Sequence, residues 1–158
     1  MTTRKQAPGG RPTAGARPAL GSNFLVDFGD GKARENSGGF AEVIFPEFRL
    51  EPAGGSHPAT PGAGGPRLTD PGTTLTLKRG VCGALNLYAW WDQARNGKAP
   101  RRKSMKIQLL SDDQQTVVLT WTFHNARPVA LSYSPLRAQE SEVVIESLEV
   151  AFDGFELS

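Results

Sequence analysis

Residues 116–123 read Thr116-Val117-Val118-Leu119-Thr120-Trp121-Thr122-Phe123. Val117, Leu119, Trp121 and Phe123 alternate with Thr116, Val118, Thr120 and Thr122. Successive side chains of an extended chain point to opposite faces, so this run presents a bulky inward face and a smaller outward one. Upstream, Met105, Ile107 and Leu109 alternate in the same way, and Ser111-Asp112-Asp113-Gln114 supplies turn chemistry between the two runs. A hairpin is predicted. Downstream, alternation resumes at Val129, Leu131 and Tyr133 after His124-Asn125-Ala126-Arg127-Pro128, and Pro128 has no amide proton to give to a ladder. The break at 124–128 therefore reads as a kink within one long extended excursion.

Working outward, Phe24, Val26 and Phe28 make a short strand that stops at Gly29-Asp30-Gly31. Residues 40–50 carry Val43, Phe45, Phe48 and Leu50, with Pro46 interrupting the phase, and residues 73–79 form a further strand. In 142–152, Val143 and Ile145 lie in one phase and Leu148, Val150 and Phe152 in the other. Such a switch predicts a bulge near Glu146-Ser147, or halves that pack on different sheets. One helix stands out at about 84–96, where Leu87, Trp90, Trp91 and Ala94 form a stripe at helical periodicity and Asn96-Gly97 offers a left-handed stop. The expected fold is mainly β: a two-sheet barrel or sandwich of six to seven strands with one flanking helix.

The chain has 158 residues, room for one ordinary domain. Its 18 Gly and 12 Pro are concentrated in residues 1–21 and 52–72. Neither stretch carries enough apolar surface to offset the entropy of ordering it. The expected organisation is a disordered basic tail at 1–21 and a β domain at 22–158 with a flexible Pro/Gly-rich loop at 52–72. The tail holds Arg4, Lys5, Arg11 and Arg17 with no acid before Asp27, and no aromatic residue that could stack on a base, so it is read as a solubilising or assembly tail rather than a nucleic-acid arm.

Cys82 is the single cysteine, which excludes an intrachain disulfide and reads as a small apolar residue beside the helix start. No apolar run of transmembrane length occurs and residues 1–21 lack the centre of a secretion signal, so cytoplasmic synthesis and no membrane insertion are expected. His57 and His124 have no second ligand at metal spacing, and serine elbows, phosphate-cradling loops and paired cysteines are absent. The sequence thus points away from an enzyme and implies no cofactor.

Charge is distributed unevenly. Arg95, Lys98, Arg101, Arg102, Lys103 and Lys106 crowd a stretch with no acid between 93 and 111, while Glu140, Glu142, Glu146, Glu149, Asp153 and Glu156 follow Arg137 with no further base. Opposite-sign surfaces on one subunit suit head-to-tail association, where complementary charge fixes register and partner choice. Two solvated faces that pair within the monomer would give the same pattern.

The order of motifs resembles the phage tail tube family, the inner-tube proteins of contractile phage tails and contractile injection systems, related to the haemolysin-coregulated protein of type VI secretion. The likeness runs through Asn23-Phe24-Leu25-Val26 and Gly38-Gly39-Phe40-Ala41-Glu42-Val43, and is sharpest at Leu75-Thr76-Leu77-Lys78-Arg79-Gly80-Val81. It continues through Leu87, Trp90, Trp91 and Arg101-Arg102, then Trp121 to Val129 with Asn125 and Pro128, Glu142 to Glu149, and Gly154-Phe155. The Pro/Gly-rich 52–72 and the Cys82-Gly83 helix approach depart from the family's pattern.

What the resemblance implies is a homohexameric ring built by joining sheets edge to edge. Rings would stack into a hollow tube inside a contractile sheath, between baseplate or spike proteins and a cap, with effector cargo in the lumen. On that reading the basic 95–106 residues belong to ring stacking, Glu140, Glu142, Glu146 and Glu149 to stacking or to contacts within a ring, and Val43, Phe45, Val143, Ile145 and Val150 to the ring-closing edges. Val118, Thr120 and Thr122 would line the lumen or an inter-sheet face. The alternatives are a tube initiator or terminal adaptor ring of the same machine, and a monomeric ligand-binding sandwich using aromatics such as Tyr88 and Trp91.

Overall fold

In the computed structural model, residues 17–36, 39–51, 67–68, 74–97 and 103–158 are described. The elements are β1 (Phe24–Asp27), α1 (Ala33–Asn36), β2 (Phe40–Ile44), β3 (Leu50–Glu51), β4 (Arg67–Leu68), β5 (Thr74–Gly80), α2 (Asn86–Arg95), β6 (Lys103–Leu110), β7 (Val117–Tyr133), β8 (Ile145–Ala151) and β9 (Gly154–Leu157). Seven strands form one antiparallel hydrogen-bonded path, β1-β6-β7-β8-β5-β2, with β9 also on β7. Most of the expected tail 1–21 and of the 52–72 loop lies outside the described residues. Within the latter, Arg67–Leu68 pairs with Leu50–Glu51, which brings the two ends of that excursion together.

The fold turns on β7, a 17-residue strand that belongs to two sheets. Its first part pairs with β6 on one side, from Leu110↔Val117 to Lys103↔Ala126, and with β9 on the other. Its second part, from Arg127, pairs with β8. The path therefore folds into a first sheet, β1-β6-β7-β9, and a second, β2-β5-β8-β7, that face each other as a sandwich. The transition falls in the expected kink. Asn125 has φ 54, a left-handed conformation that asparagine tolerates better than most non-glycine residues. Register slips between Pro128 and Ala130. The neighbouring strand bends at the same level, where the Asp153 amide donates to the His124 carbonyl at 3.0 Å and Arg127 Nη1 donates to Asp153 Oδ1 at 2.8 Å.

Inward positions of both sheets make one core: Val26, Met105, Ile107 and Phe123 from the first, Leu75, Leu77, Leu148 and Val150 from the second, with Phe152 at the bend. Each end is plugged by aromatics. At one end α2 inserts Leu87 and Trp90, with Trp90 edge-on to Phe28 at 5.6 Å. Trp91 is only partly buried and takes the Arg95 guanidinium over its ring at 5.0 Å. Gly97 closes the helix with φ 66, as the Asn-Gly pair predicts. At the other end Phe45 meets Trp121 at 5.0 Å and Phe48 stacks on Phe155 at 4.0 Å. The β6–β7 hairpin has the expected turn: the Ser111 amide donates to the Thr116 carbonyl, while Asp113 accepts from the Ser111 hydroxyl and from the Gln115 amide at 2.9 Å.

Two expectations need correction. Val117 is exposed, so the inward face of 116–123 becomes buried only toward Phe123. No bulge occurs at Glu146-Ser147: the β5–β8 ladder is unbroken from Gly80↔Ile145 to Thr74↔Ala151. The apolar phase switches because a charged residue, Glu146, occupies an inward position next to Leu148 and Val150. The short α1 has no counterpart in the sequence reading; its Ala33 is buried and Arg34 Nη2 donates to the Gln114 carbonyl at 3.1 Å.

Candidate assembly surfaces

Antiparallel partners share a face, so the ladders sort every residue of the two sheets. In the first sheet, Thr120 and Thr122 lie opposite Gln108 and Lys106, on the face turned away from the core. They do not lie between the sheets. That face also carries Leu25 and Asp27 from β1, and α1 folds over part of it. In the second sheet the outward face runs Ile44 and Glu42 on β2, Thr76 and Lys78 on β5, Ser147 and Glu149 on β8, and Ala130 and Ser132 on β7. It is polar, and its Lys78 Nζ sits 3.2 Å from Glu42 Oε2.

Among the described residues the unpaired edges are β1 and β9 of the first sheet, and β2 and the Val129–Tyr133 part of β7 in the second. Val43 thus lies on an edge strand. Val143, Ile145 and Val150 do not. Ile145 and Val150 lie in β8, which bonds β5 on one side and β7 on the other, and Val143 precedes the strand, against Gly80. An added Cβ on Gly80 would stand 3.2 Å from Val143 Cγ1, so a larger residue would push that contact apart. Phe45 follows β2 and plugs the sandwich end rather than forming an edge. Exposed strand edges invite pairing unless charge, proline or a covering element blunts them. β1 has α1 beside it and β9 carries Glu156, whereas Val129-Ala130-Leu131-Ser132-Tyr133 has no charge and no proline.

The acidic group divides. Glu146 is 4% exposed and does not lie on a surface: its Oε2 accepts from Arg79 Nε at 2.9 Å and its Oε1 from the Tyr133 hydroxyl at 3.0 Å. Arg79, itself 1% exposed, also donates from Nη2 to the Ala84 carbonyl at 3.0 Å, just before α2. Burial first, then the bond to the Glu146 carboxylate, pushes the Tyr133 phenol above the ordinary tyrosine value. Glu140 and Glu142 sit in the exposed β7–β8 connection, with Glu140 paired to Arg137 at 3.1 Å, and Glu149 lies on the second sheet's outward face. Of the basic group, Lys98, Arg101 and Arg102 lie outside the described residues. Arg95 pairs with Asp92 on its own helix, Lys103 Nζ stands 5.2 Å from the Trp90 ring, and Lys106 is opposite Asp27. Among the described residues, Glu146 is thus separated from the other acids by its burial, and Arg95 is engaged on its own helix. Tyr133 and Ala84 escaped sequence reasoning; the one available signal was the charge standing in phase with Leu148 and Val150.

Among the described residues no group of His, Cys, Asp and Glu is placed to hold a metal ion, and no helix is long and apolar enough to cross a membrane.

The fold is a two-sheet sandwich, its strands antiparallel, with unpaired edges among the described residues and a polar outer face on the second sheet. The chain belongs to the family described as T4-like virus tail tube protein gp19, whose sequence profile matches residues 22–156. Members of this family are structural tube proteins. Solved structures with the same fold include the anti-feeding prophage cap (AFP tube terminating cap), at 20% identity and TM-score 0.67 over 97% of this chain and 99% of that one. The sheath/tube terminator of the PVC extracellular contractile injection system, in its extended state, matches at 20% identity and TM-score 0.68, over 92% and 99%. The PVC sheath–tube complex matches at 20% identity and TM-score 0.62, over 89% and 91%. No curated protein matches in sequence.

Proposed function

We propose that this chain is the repeating subunit of the inner tube of a contractile, tail-like particle, joined into six-fold rings that stack around a bore through which cargo passes when the sheath contracts. The observation that carries this reading is the second sheet. Its edges, β2 and Val129–Tyr133, are separated by three antiparallel steps and run in opposite directions. A rotated copy placed alongside therefore presents β2 antiparallel to β7, and the ladder continues until the ring closes and no edge of the second sheet is left free. The outward face of the same sheet, with Thr76, Lys78, Ser132, Ser147 and Glu149, then lines the bore, while the face covered in part by α1 turns away from it.

The role is mechanical rather than catalytic. The partners are further copies of the chain, a sheath protein outside, baseplate or spike and cap proteins at the two ends, and cargo within. Assembly precedes release of the particle and takes place in the cytoplasm. Lys98, Arg101, Arg102, Lys103 and Lys106 serve stacking between rings, against Glu140 and Glu142 of the next ring. Electron microscopy of the purified protein tests the reading: closed six-fold rings or tubes are expected, and a strict monomer at high concentration, with sheath and baseplate proteins added, would overturn it.

A second station in the same machine, a terminal ring at the end of the tube, is favoured by the slightly higher structural similarity to chains from terminator and cap assemblies than to one from the sheath–tube complex. Copy number per particle separates the two, many rings for the tube subunit and one for a terminator.

A further inference from the structure

A single row of side chains crosses the second sheet from one open edge to the other. Phe40 on β2 is opposite Arg79 on β5, Arg79 is opposite Glu146 on β8, and Glu146 is opposite Tyr133 on β7. All four share the inward face and touch in sequence. The Arg79 guanidinium lies 5.6 Å from the Phe40 ring centre, its Nε donates to Glu146 at 2.9 Å, and the Tyr133 hydroxyl donates to the other carboxylate oxygen at 3.0 Å. The middle of the row is sealed, whereas Tyr133 at its end is 52% exposed.

We infer that this row continues across the junction between copies, so that Tyr133 of one copy lies opposite Phe40 of the next, with the buried Arg79–Glu146 pair fixing that register. The inference rests on the edge-to-edge assembly proposed above and adds to it which residues meet. Tyr133 ends β7 and Phe40 begins β2, so in an antiparallel junction this pairing makes four pairs along the two edges, and sliding the copies by two residues in either direction loses pairs.

The faces agree as well. β2 carries a register slip between Phe40 and Glu42, which places Phe40 and Val43 inward and Glu42 and Ile44 outward. Continuing from Tyr133 opposite Phe40 then sets Ser132 against Glu42, both outward, Leu131 against Val43, both inward, and Ala130 against Ile44, both outward. Leu131 and Val43 are apolar residues left only partly buried in the monomer, and each would cover the other. A slip by one residue would turn every inward side chain of the edge outward. The Tyr133 ring, tethered through its hydroxyl, is held in place to receive the neighbouring Phe40 ring as a cross-strand aromatic pair.

Cysteine pairs at exposed, outward positions read the register without disturbing the core. In the full chain with Cys82→Ser, Ser132→Cys combined with Glu42→Cys should oxidise to disulfide-linked multimers up to the closed ring. Ser132→Cys with Ile44→Cys, displaced along the strand beyond disulfide reach, should give at least about ten-fold less. A third variant adds Tyr133→Ala to the first pair and should lower its cross-linked fraction while leaving the monomer's circular dichroism unchanged. Rings seen by microscopy in the Cys82→Ser parent, with cross-linking through Ile44→Cys instead, would overturn the register and leave the ring reading standing. Absence of rings from that parent would overturn both.

Discussion

Arg79 and Glu146 face each other across β5 and β8 with Nε 2.9 Å from Oε2, and the two residues are only 1% and 4% exposed. Each stands in a row that is otherwise apolar, one phase-step from Leu77 and Leu148. A pair taken out of water in this way is held by its mutual attraction and by the added bonds from Tyr133 and to Ala84, and removal of one partner strands the other.

Glu146→Ala or Arg79→Ala is accordingly expected to destabilise the monomer by about 3–5 kcal/mol in urea unfolding, because one charge is left buried without its partner. The double change Arg79→Met with Glu146→Leu should recover most of that loss, since apolar replacements of similar volume are often neutral or stabilising at buried pairs. If the double variant were as unstable as the singles, the pair would be contributing far more than a compensated charge.

Tyr133 gives the site a dependence on alkaline pH. Its folded pKa is raised, so the native state holds the proton more tightly than the unfolded chain does. That contribution is complete below the unfolded tyrosine value of about 10 and is lost as pH rises through the folded value. Denaturant midpoints measured from neutral pH to about pH 11 should therefore fall more steeply for the parent than for Tyr133→Phe. Parallel curves would show that the hydroxyl bond to Glu146 does not persist in solution.

Phe123 is fully buried where the two sheets diverge, edge-on to Phe152 at 4.8 Å. Phe123→Ala should cost about 3–5 kcal/mol through lost burial and the cavity it leaves. On the opposite face of the same strand, Thr122→Ala should stay within about 0.5 kcal/mol in the monomer. Thermal or urea unfolding of the two variants checks which face of 116–123 is inside.

The bend between the sheets depends on a left-handed residue, Asn125, at φ 54. Asn125→Gly is expected to be nearly neutral, whereas Asn125→Val should cost about 1–2 kcal/mol, because a β-branched residue is poorly tolerated there. Loss of the bend in the valine variant would also separate Arg127 from Asp153. Equal stability of the glycine and valine variants would mean that the bend relaxes to another backbone conformation.

Much of the fold is legible in local pattern. The inward positions of β1 and β6, the existence of β5, the Ser111–Gln114 turn, a helix within 84–96 and the kink at 124–128 all follow from side-chain period, turn residues and a proline. Those signals live within a few residues of chain, where backbone geometry alone fixes which side chains share a face. The bulge expected at Glu146-Ser147 failed for a specific reason. A period-2 reading treats a carboxylate as outward, and only a partner 67 residues away in sequence makes an inward one tolerable.

Edges were beyond the sequence in the same sense. Val150 reads as an edge or a centre equally well until its neighbours are known, and it is the pairing of β8 with both β5 and β7 that makes it central. The ordered motifs of residues 22–156 determined the family by themselves, and alternation determined a β sandwich with a plugging helix. Tertiary structure decided which strands stay unpaired among the described residues, and that Arg79 and Glu146 form one buried pair to which the half-exposed Tyr133 donates. The physical reason is that pairing, burial and charge compensation are properties of residues brought together from distant parts of the chain, and sequence period carries no information about which distant parts those are.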